Sequence, residues 1–346
     1  MKTDAQNLFR AAIVGAASLK GKELKEVLEE RNFPAIDIRL LDDNESLGQL
    51  ERVQDEVAFV QPVTRDQLED VDFTFFASGE QFTRDHWKLA LDAGAAVIDL
   101  SYALENEPGI PVSAPLIERE LGQRAQLNLD AHTVAIAHPA AITLALLLLR
   151  ASRAAQLSTA TATIFEPVSE QGRSGMDELH EQTVNLLSFQ QLPKGVFDSQ
   201  VAFNMIGRFG PESGTTLESI ERRIAAHLRK LTAGRVLDPA ITLLQAPVFH
   251  AHTFSVFLEF AKAISDGDLS SALAGEQVVL ARAPEESPSN VNVAGKNEIL
   301  VSLRRDLARA NGFWLWVAVD NLRLAALTAV DCAAALATVR PHGKVQ

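Results

Sequence analysis

The beginning of the chain alternates between short apolar runs and amphipathic stretches. An apolar run over residues 8–14 ends at Gly15, and a helix-like stretch over residues 20–31 follows it. Pro34 ends that helix, and residues 36–41 are apolar enough to form a second buried strand. This order of strand, glycine turn, helix and strand predicts the start of a dinucleotide-binding unit.

Further along, the spacing of apolar positions predicts two sheets of different kinds. Buried strands over residues 71–76 and 95–100, with a helix over 84–93 between them, favour a parallel sheet. Beyond about residue 149 the polarity alternates, beginning with residues 156–165, as it does in strands of a mixed or antiparallel sheet. The other strands predicted for this larger sheet cover residues 243–249, 254–260, 277–281, 298–303 and 313–319. The helices predicted here cover residues 140–149, 176–187, 217–231 and 324–339.

The chain is therefore predicted to be an α/β protein with two domains. The first is a Rossmann-like, dinucleotide-binding domain over residues 1–138. The second is an α+β domain over residues 139–323, built on a large mixed sheet. A length of 346 residues provides a sizeable core for each.

Composition narrows the possible partners. A net charge of −13 repels the nucleic acid backbone and anionic lipid, so we expect neither as a partner. The longest apolar run, residues 140–149, is about half as long as a spanning helix needs to be, so no membrane association is expected. The first ten residues lack an apolar signal core. The single cysteine rules out an intrachain disulfide, which fits a cytoplasmic location.

Several short blocks carry a resemblance to a known family. They are AIVGAASLKG over residues 12–21, FASG over 76–79, AGAAVIDLS over 93–101, GMDEL over 175–179, VAFN over 201–204 and DNLR over 320–323. In order and spacing they resemble the aspartate-semialdehyde dehydrogenase family. The resemblance implies a Rossmann-like domain, an α+β dimerisation domain with a large mixed sheet, and a homodimer. It also implies that residues 324–346, with their predicted helix, return to the first domain, which then covers residues 1–138 together with 324–346.

The nucleophile position of the resembled family holds an alanine. Residues 136–139 read IAHP and match the family's I-A-N-P, after which the nucleophilic cysteine falls on Ala141. Alanine has no thiolate and cannot attack an aldehyde. The only cysteine of the chain is Cys332, far along the sequence in a predicted helix.

Other reactive positions of the family are also changed. The general-base histidine is kept as His252, but the arginine that binds the substrate carboxylate falls on Gln245. The family's glutamine falls on Glu166 and its phosphate-binding arginine on Glu105. Arg222 lies in a charged stretch where the family carries substrate-handling groups, or on an ordinary charged helix face. With all of these groups replaced together, the chain resembles the divergent Usg-type branch of the family.

The glycine loop has a functional and a structural interpretation. Gly15, Ser18, Lys20 and Gly21 could form a phosphate cradle at a helix N-terminus, or only a strand-to-helix turn. Asp42 follows the second strand, where an acidic residue accepts hydrogen bonds from the ribose hydroxyls and repels a 2′-phosphate. This favours NAD over NADP if any dinucleotide binds. The resemblance adds Ser78 and Gly79 to the cofactor-binding positions.

Three functional hypotheses remain open. The first is a catalytically impaired relative of the family that is retained for binding or regulation, with a small molecule as a possible ligand. The second is an oxidoreductase that acts on another carbonyl substrate by direct hydride transfer, with His252 as the acid. The third is an aspartate-semialdehyde dehydrogenase by homology. His138, His250 and His252 converge on one cleft if the resembled fold holds, but their spacing is not a specific metal signal, and no metal is expected.

Overall fold

The computed structural model describes residues 9–43, 46–53, 56–122, 132–281 and 286–338, with the backbone alone for residues 51–53, 56 and 57. Residues 339–346 of the predicted first domain lie outside the described residues. The chain divides into two compact units, Met1–Ala137 with Ala325–Gln346 and His138–Leu324.

The first unit is a parallel sheet with helices. Its strands are β1 (Phe9–Val14), β2 (Ala35–Asp42), β3 (Leu50–Val53), β4 (Glu56–Phe59), β5 (Gln61–Pro62), β6 (Phe73–Phe76), β7 (Ala96–Asp99), β8 (Val112–Ser113) and β9 (Thr133–Ile136). Its helices are α1 (Leu19–Glu30), α2 (Arg65–Leu68), α3 (Glu80–Asp92) and α4 (Pro115–Glu120). Seven strands form the sheet in the order β5-β2-β1-β6-β7-β9-β8, and every pairing in it is parallel. Strands β3 and β4 form a separate antiparallel hairpin.

Strand β1 is almost continuously apolar because its side chains are buried on both faces of the sheet. Ala11 and Ile13 belong to one buried cluster, and Ala12 and Val14 to another. Successive side chains of a strand point to opposite faces, so both faces of this sheet carry a core. The predicted Rossmann-like parallel sheet is confirmed.

Two glycines of the loop after β1 are required by packing. Gly15 has a φ of +85°, and a Cβ there would lie 2.4 Å from the main-chain nitrogen of Ser78. A Cβ on Gly21 would lie 2.1 Å from the carbonyl oxygen of Gly15. The helix therefore approaches the end of the strand more closely than any side chain permits.

The second unit contains a mixed sheet and its helices. Its strands are β10 (Leu157–Glu166), β11 (Ala240–Gln245), β12 (His252–Phe260), β13 (Val278–Leu280), β14 (Ile299–Arg305) and β15 (Gly312–Val319). Its helices are α5 (Pro139–Ala154), α6 (Gly172–Leu187), α7 (Leu217–Thr232), α8 (Asp266–Leu273) and α9 (Asn290–Val293). Helix α10 (Asn321–Ala337) begins in this unit and continues into the first.

The six strands lie in the order β11-β10-β12-β15-β14-β13. Parallel pairings join β10 to β11 and β13 to β14, and the others are antiparallel. The predicted large mixed sheet is confirmed. The strand predicted over residues 243–249 is wrong at its end, because β11 stops at Gln245. Pro247 follows two residues later and cannot donate a ladder hydrogen bond.

Among the described residues, no helix combines the length and the apolar character needed to cross a bilayer.

Candidate functional site

Three buried polar side chains lie in a row across neighbouring strands of the second unit. The parallel register pairs Glu166 of β10 with Gln245 of β11. The antiparallel register pairs Phe165 with Thr253, which places Glu166 opposite His252 of β12. Side chains at paired positions share one face of a sheet. Gln245, Glu166 and His252 therefore form a polar row, and each is 0% exposed.

The members of this polar row contact one another directly. His252 Nε2 and Glu166 Oε2 are 2.8 Å apart, which is a hydrogen-bond distance. Gln245 Nε2 donates to the carbonyl oxygens of Glu166 and Ala246 at 2.8 and 3.0 Å. The carboxamide of Gln245 thus holds the ends of β10 and β11 together, while the carboxylate of Glu166 orients the imidazole of His252.

A second imidazole lies beside the polar row. His138 precedes helix α5, and its Nδ1 accepts a hydrogen bond from the Ala140 amide at 3.2 Å, which caps the helix. Its ring centroid is 5.5 Å from that of His252. His138 Nε2 is 3.9 Å from Glu170 Oε2, and both side chains are almost fully buried. The main-chain amide of His138 donates to His227 Nδ1 at 3.0 Å.

One asparagine fixes the surroundings of both histidines. Asn321 Nδ2 donates to Glu170 Oε1 at 2.7 Å, and its Oδ1 accepts from the amide of Ala251 at 3.0 Å. Ala251 has a φ of +73°, which is an uncommon conformation for a residue with a Cβ. Asn290 Nδ2 donates to the Ala251 carbonyl at 2.6 Å. These bonds hold the strained residue that precedes His252, and strain of this kind is often found at functional sites.

The residue at the resembled nucleophile position is Ala141, in the first turn of α5, and it is 0% exposed. The only thiol of the chain, Cys332, belongs to the other compact unit and is also 0% exposed. Burial raises the pKa of the Cys332 thiol far above its ordinary value, although a hydrogen bond with Ser113 acts in the opposite direction. A buried thiol of this kind remains protonated and is a poor nucleophile.

In the first unit, the glycine loop is closed by side chains from its surroundings. Ser18 caps α1: its Oγ accepts from the Gly21 amide at 2.9 Å and donates to the Ala77 carbonyl at 2.8 Å. Asp42 Oδ2 accepts from the Ala17 amide at 2.9 Å. Burial raises the pKa of Asp42, and amide donors from Ala17 and Asp43 lower it in part. Asp42 thus stands at the carboxyl end of β2 beside the loop, where a ribose-binding acid is expected.

The other predicted cofactor positions surround the same loop. Lys20 Nζ donates to the Leu100 carbonyl at 3.0 Å and lies 4.3 Å from the centre of the Tyr102 ring. Ser78 shares a 3.0 Å hydrogen bond with Thr83 through their hydroxyl groups. Gly79 is the N-cap residue of α3.

Glu105 lies in the loop after β7, which is organised by Asp99. The carboxylate of Asp99 accepts from the Ser101 amide at 2.7 Å and from the Leu104 amide at 2.9 Å. Asp99 is fully buried, and this burial raises its pKa. The structure therefore places Glu105 on a loop fixed from inside the first unit.

Two of the predicted residues lie apart from the buried cluster. Arg222 is on the solvent side of α7, with 70% of its side chain exposed, and pairs with Glu218 at 2.5 Å. This placement agrees with the second of the two interpretations of Arg222, an ordinary charged helix face. His250 is half-buried and precedes Ala251, whose positive φ interrupts the strand alternation. His250 lies outside β12 and, among the described residues, does not belong to the buried group formed by His138, Glu166 and His252.

Sequence reasoning assigned no role to Glu170, Asn321 or His227. Asn321 lies in the DNLR block that the resemblance had marked, whereas Glu170 lies just beyond the end of β10 and outside that block. Their partners are far away along the chain, which is why spacing alone could not pair them.

Comparison with known proteins establishes the family. The model for the semialdehyde dehydrogenase NAD binding domain matches residues 10–125, and that for the semialdehyde dehydrogenase dimerisation domain matches residues 148–324. A USG-1 protein homolog from Pseudomonas aeruginosa is 33% identical, over 93% of this chain and 96% of its own length. An aspartate-semialdehyde dehydrogenase from Rickettsia bellii is 28% identical, over 94% of this chain and 96% of its own.

A solved structure agrees with these relatives. The structure of aspartate semialdehyde dehydrogenase II from Vibrio cholerae, complexed with ASA, superimposes with a TM-score of 0.84 at 26% identity. The match covers 96% of this chain and 99% of that one. The chain belongs to the semialdehyde dehydrogenase family, and the resemblance inferred from its sequence blocks is confirmed at that level.

Proposed function

We propose that this protein is a semialdehyde dehydrogenase family member that no longer forms a thioester intermediate and is retained for binding or regulation. The observation that carries the proposal is Ala141, which stands where the resembled motif has its nucleophile. An alanine methyl group can neither attack a carbonyl carbon nor release a proton. No other cysteine can take over, because Cys332 is buried and its thiol is held protonated.

The groups that would handle an acidic substrate support the same proposal. Gln245 replaces a charged arginine and is engaged with main-chain carbonyls, so it offers no cation to a carboxylate. Glu105 offers a negative charge where the resemblance implies a phosphate clamp. We therefore expect a small-molecule ligand that is not the semialdehyde substrate of a phosphate-dependent reaction. We expect a homodimer to bind it. If a dinucleotide also binds, we expect NAD rather than NADP.

Turnover measurements test this proposal. Purified protein is incubated with aspartate semialdehyde, NADP and phosphate, next to a cysteine-containing family enzyme as the positive control. We expect no turnover above background, and none after Ala141→Cys alone, because Gln245 and Glu105 still withhold the two clamps. A wild-type rate within about tenfold of the control enzyme would contradict the proposal, since chemistry without a nucleophile falls by orders of magnitude.

A second candidate function rests on the contact between His252 and Glu166. A carboxylate 2.8 Å from an imidazole is an arrangement that can hold a proton for transfer, and direct hydride transfer to a carbonyl requires no cysteine. This function requires a bound nicotinamide cofactor, whereas the first does not. Consumption of reduced cofactor with a panel of aldehydes and ketones, abolished by His252→Ala, would favour the second function over the first.

A further inference from the structure

We propose that His138, Glu166 and His252, with Glu170 as a fourth ligand, form a binding site for one divalent metal ion of the zinc class. One ligating atom from each of the first three residues lies within 4.8 Å of the other two, and all three side chains are buried. The sequence alone led us to expect no metal, because the spacing of His138, His250 and His252 is not a specific metal signal. In the structure the group contains Glu166 and not His250. The inference does not depend on the proposed loss of thioester chemistry.

Two of the distances between ligand atoms are already close to those around a bound ion. Ligand atoms bonded tetrahedrally to zinc at about 2.0–2.2 Å lie about 3.3–3.6 Å from one another. His252 Nε2 and Glu166 Oε2 are 2.8 Å apart and would separate by less than about 1 Å. His138 Nε2 and Glu170 Oε2 are 3.9 Å apart and would approach each other by about 0.5 Å. Side-chain rotations of this size leave the strands and helix α5 in place.

The charges of the group match a divalent cation. Two carboxylates and two neutral imidazoles carry a formal charge of −2 in a buried environment, and a divalent cation balances it. Coordination through His138 Nε2 requires the ring proton on Nδ1, so the bond from the Ala140 amide to Nδ1 is given up when the ion binds. An imidazole and carboxylate donor set suits zinc better than magnesium or calcium, which prefer oxygen ligands alone. Two histidines with a glutamate form a known zinc ligand set, and a second carboxylate, from Glu170, would be the fourth ligand and close the coordination as in a structural site.

The surroundings hold the four groups in position. Asn321 Nδ2 donates to Glu170 Oε1 at 2.7 Å, which leaves Oε2 directed toward His138. Gln245 Nε2 fixes the main-chain carbonyl of Glu166 at 2.8 Å. Outer hydrogen bonds of this kind orient metal ligands and are a regular part of metal sites.

Zinc binding by the full-length protein tests the proposal. Protein treated with EDTA and dialysed is titrated with Zn²⁺ against a competing chelator, and the bound metal is counted by mass spectrometry. We expect one zinc per chain, with affinity reduced at least about tenfold by Glu166→Gln and by His138→Asn. His250→Gln is the matched control, since it removes a nearby imidazole outside the group, and should leave the affinity unchanged.

A measurement without substitutions protects the test against variants that fail to fold. Co²⁺ bound to the wild-type protein should give the visible absorption of tetrahedral nitrogen and oxygen coordination, and added Zn²⁺ should displace it. Less than about one tenth of a zinc per chain, or an octahedral cobalt spectrum, would overturn the proposal. Equal zinc affinity in folded Glu166→Gln, His138→Asn and wild-type proteins would also overturn it, because binding would then occur elsewhere.

Discussion

Asn321 offers a sharp test of the site, because one buried side chain supports two of its parts. Substitution by alanine removes the acceptor of the Ala251 amide, at 3.0 Å, and a donor to Glu170 Oε1, at 2.7 Å. A buried amide left without its acceptor costs about 1–3 kcal/mol, and loss of a hydrogen bond to a charged group costs about as much. We therefore expect Asn321→Ala to lower the free energy of unfolding by about 3–5 kcal/mol.

The aspartate variant tests the contact with Glu170 while keeping the acceptor of the Ala251 amide. Asn321→Asp keeps an acceptor for the Ala251 amide but places a carboxylate where Nδ2 now donates to Glu170. We expect a loss at neutral pH comparable with that of the alanine variant. Asn185→Ala is the control, because Asn185 makes one exposed hydrogen bond to a carbonyl, and should change stability by less than about 0.5 kcal/mol.

Urea unfolding followed by tryptophan fluorescence measures these effects. Two of the three tryptophans, Trp314 and Trp316, lie in the second unit, and Trp87→Phe removes the third. The signal then reports the unit that contains Asn321. A loss below about 1 kcal/mol for Asn321→Ala would refute the assigned hydrogen bonds.

Two further predictions concern the cofactor and the assembly. If a nicotinamide dinucleotide binds, calorimetry should give tighter binding for NAD than for NADP, because Asp42 and Asp43 repel a 2′-phosphate by roughly 1–2 kcal/mol. Asp42→Asn should reduce this preference about tenfold, and tighter NADP binding by the wild type would contradict the assignment. Light scattering at micromolar concentration should give about twice the 37.6 kDa chain mass, because a partner would cover the sheet face that leaves Trp316 38% exposed. Trp316→Arg should shift the population toward monomer, and a wild-type monomer would count against the predicted homodimer.

The fold could be predicted from the sequence because its signals are local. The apolar run before Gly15 and the alternation over residues 156–165 each define a strand by their own residues. The ends of strands were predicted less accurately. Strand β11 ends at Gln245 because Pro247 has no N–H group to donate to the neighbouring strand.

The site could be predicted only in part, because its contacts depend on register and on conformations that composition does not determine. Glu166 and His252 were both named, but their direct contact follows from the pairing of β10 with β12. The resembled fold placed His250 in one cleft with His138 and His252, but among the described residues the buried group contains Glu166 and not His250. Asn321 and Glu170 are joined across the chain by a hydrogen bond that no sequence pattern marks.

The polar row of Gln245, Glu166 and His252 indicates a binding site rather than a purely structural role. Sheet packing does not require charged groups at these positions, and replacing buried polar groups by apolar ones of similar size is often neutral or stabilising. Gln245, Glu166 and His252 are nevertheless aligned on three strands, and Asn321 and Asn290 hold a strained residue next to them. A fold kept only as a scaffold gains little from such an arrangement. Its presence next to His138, which caps the helix that carries Ala141, favours a site that binds a ligand or a metal ion.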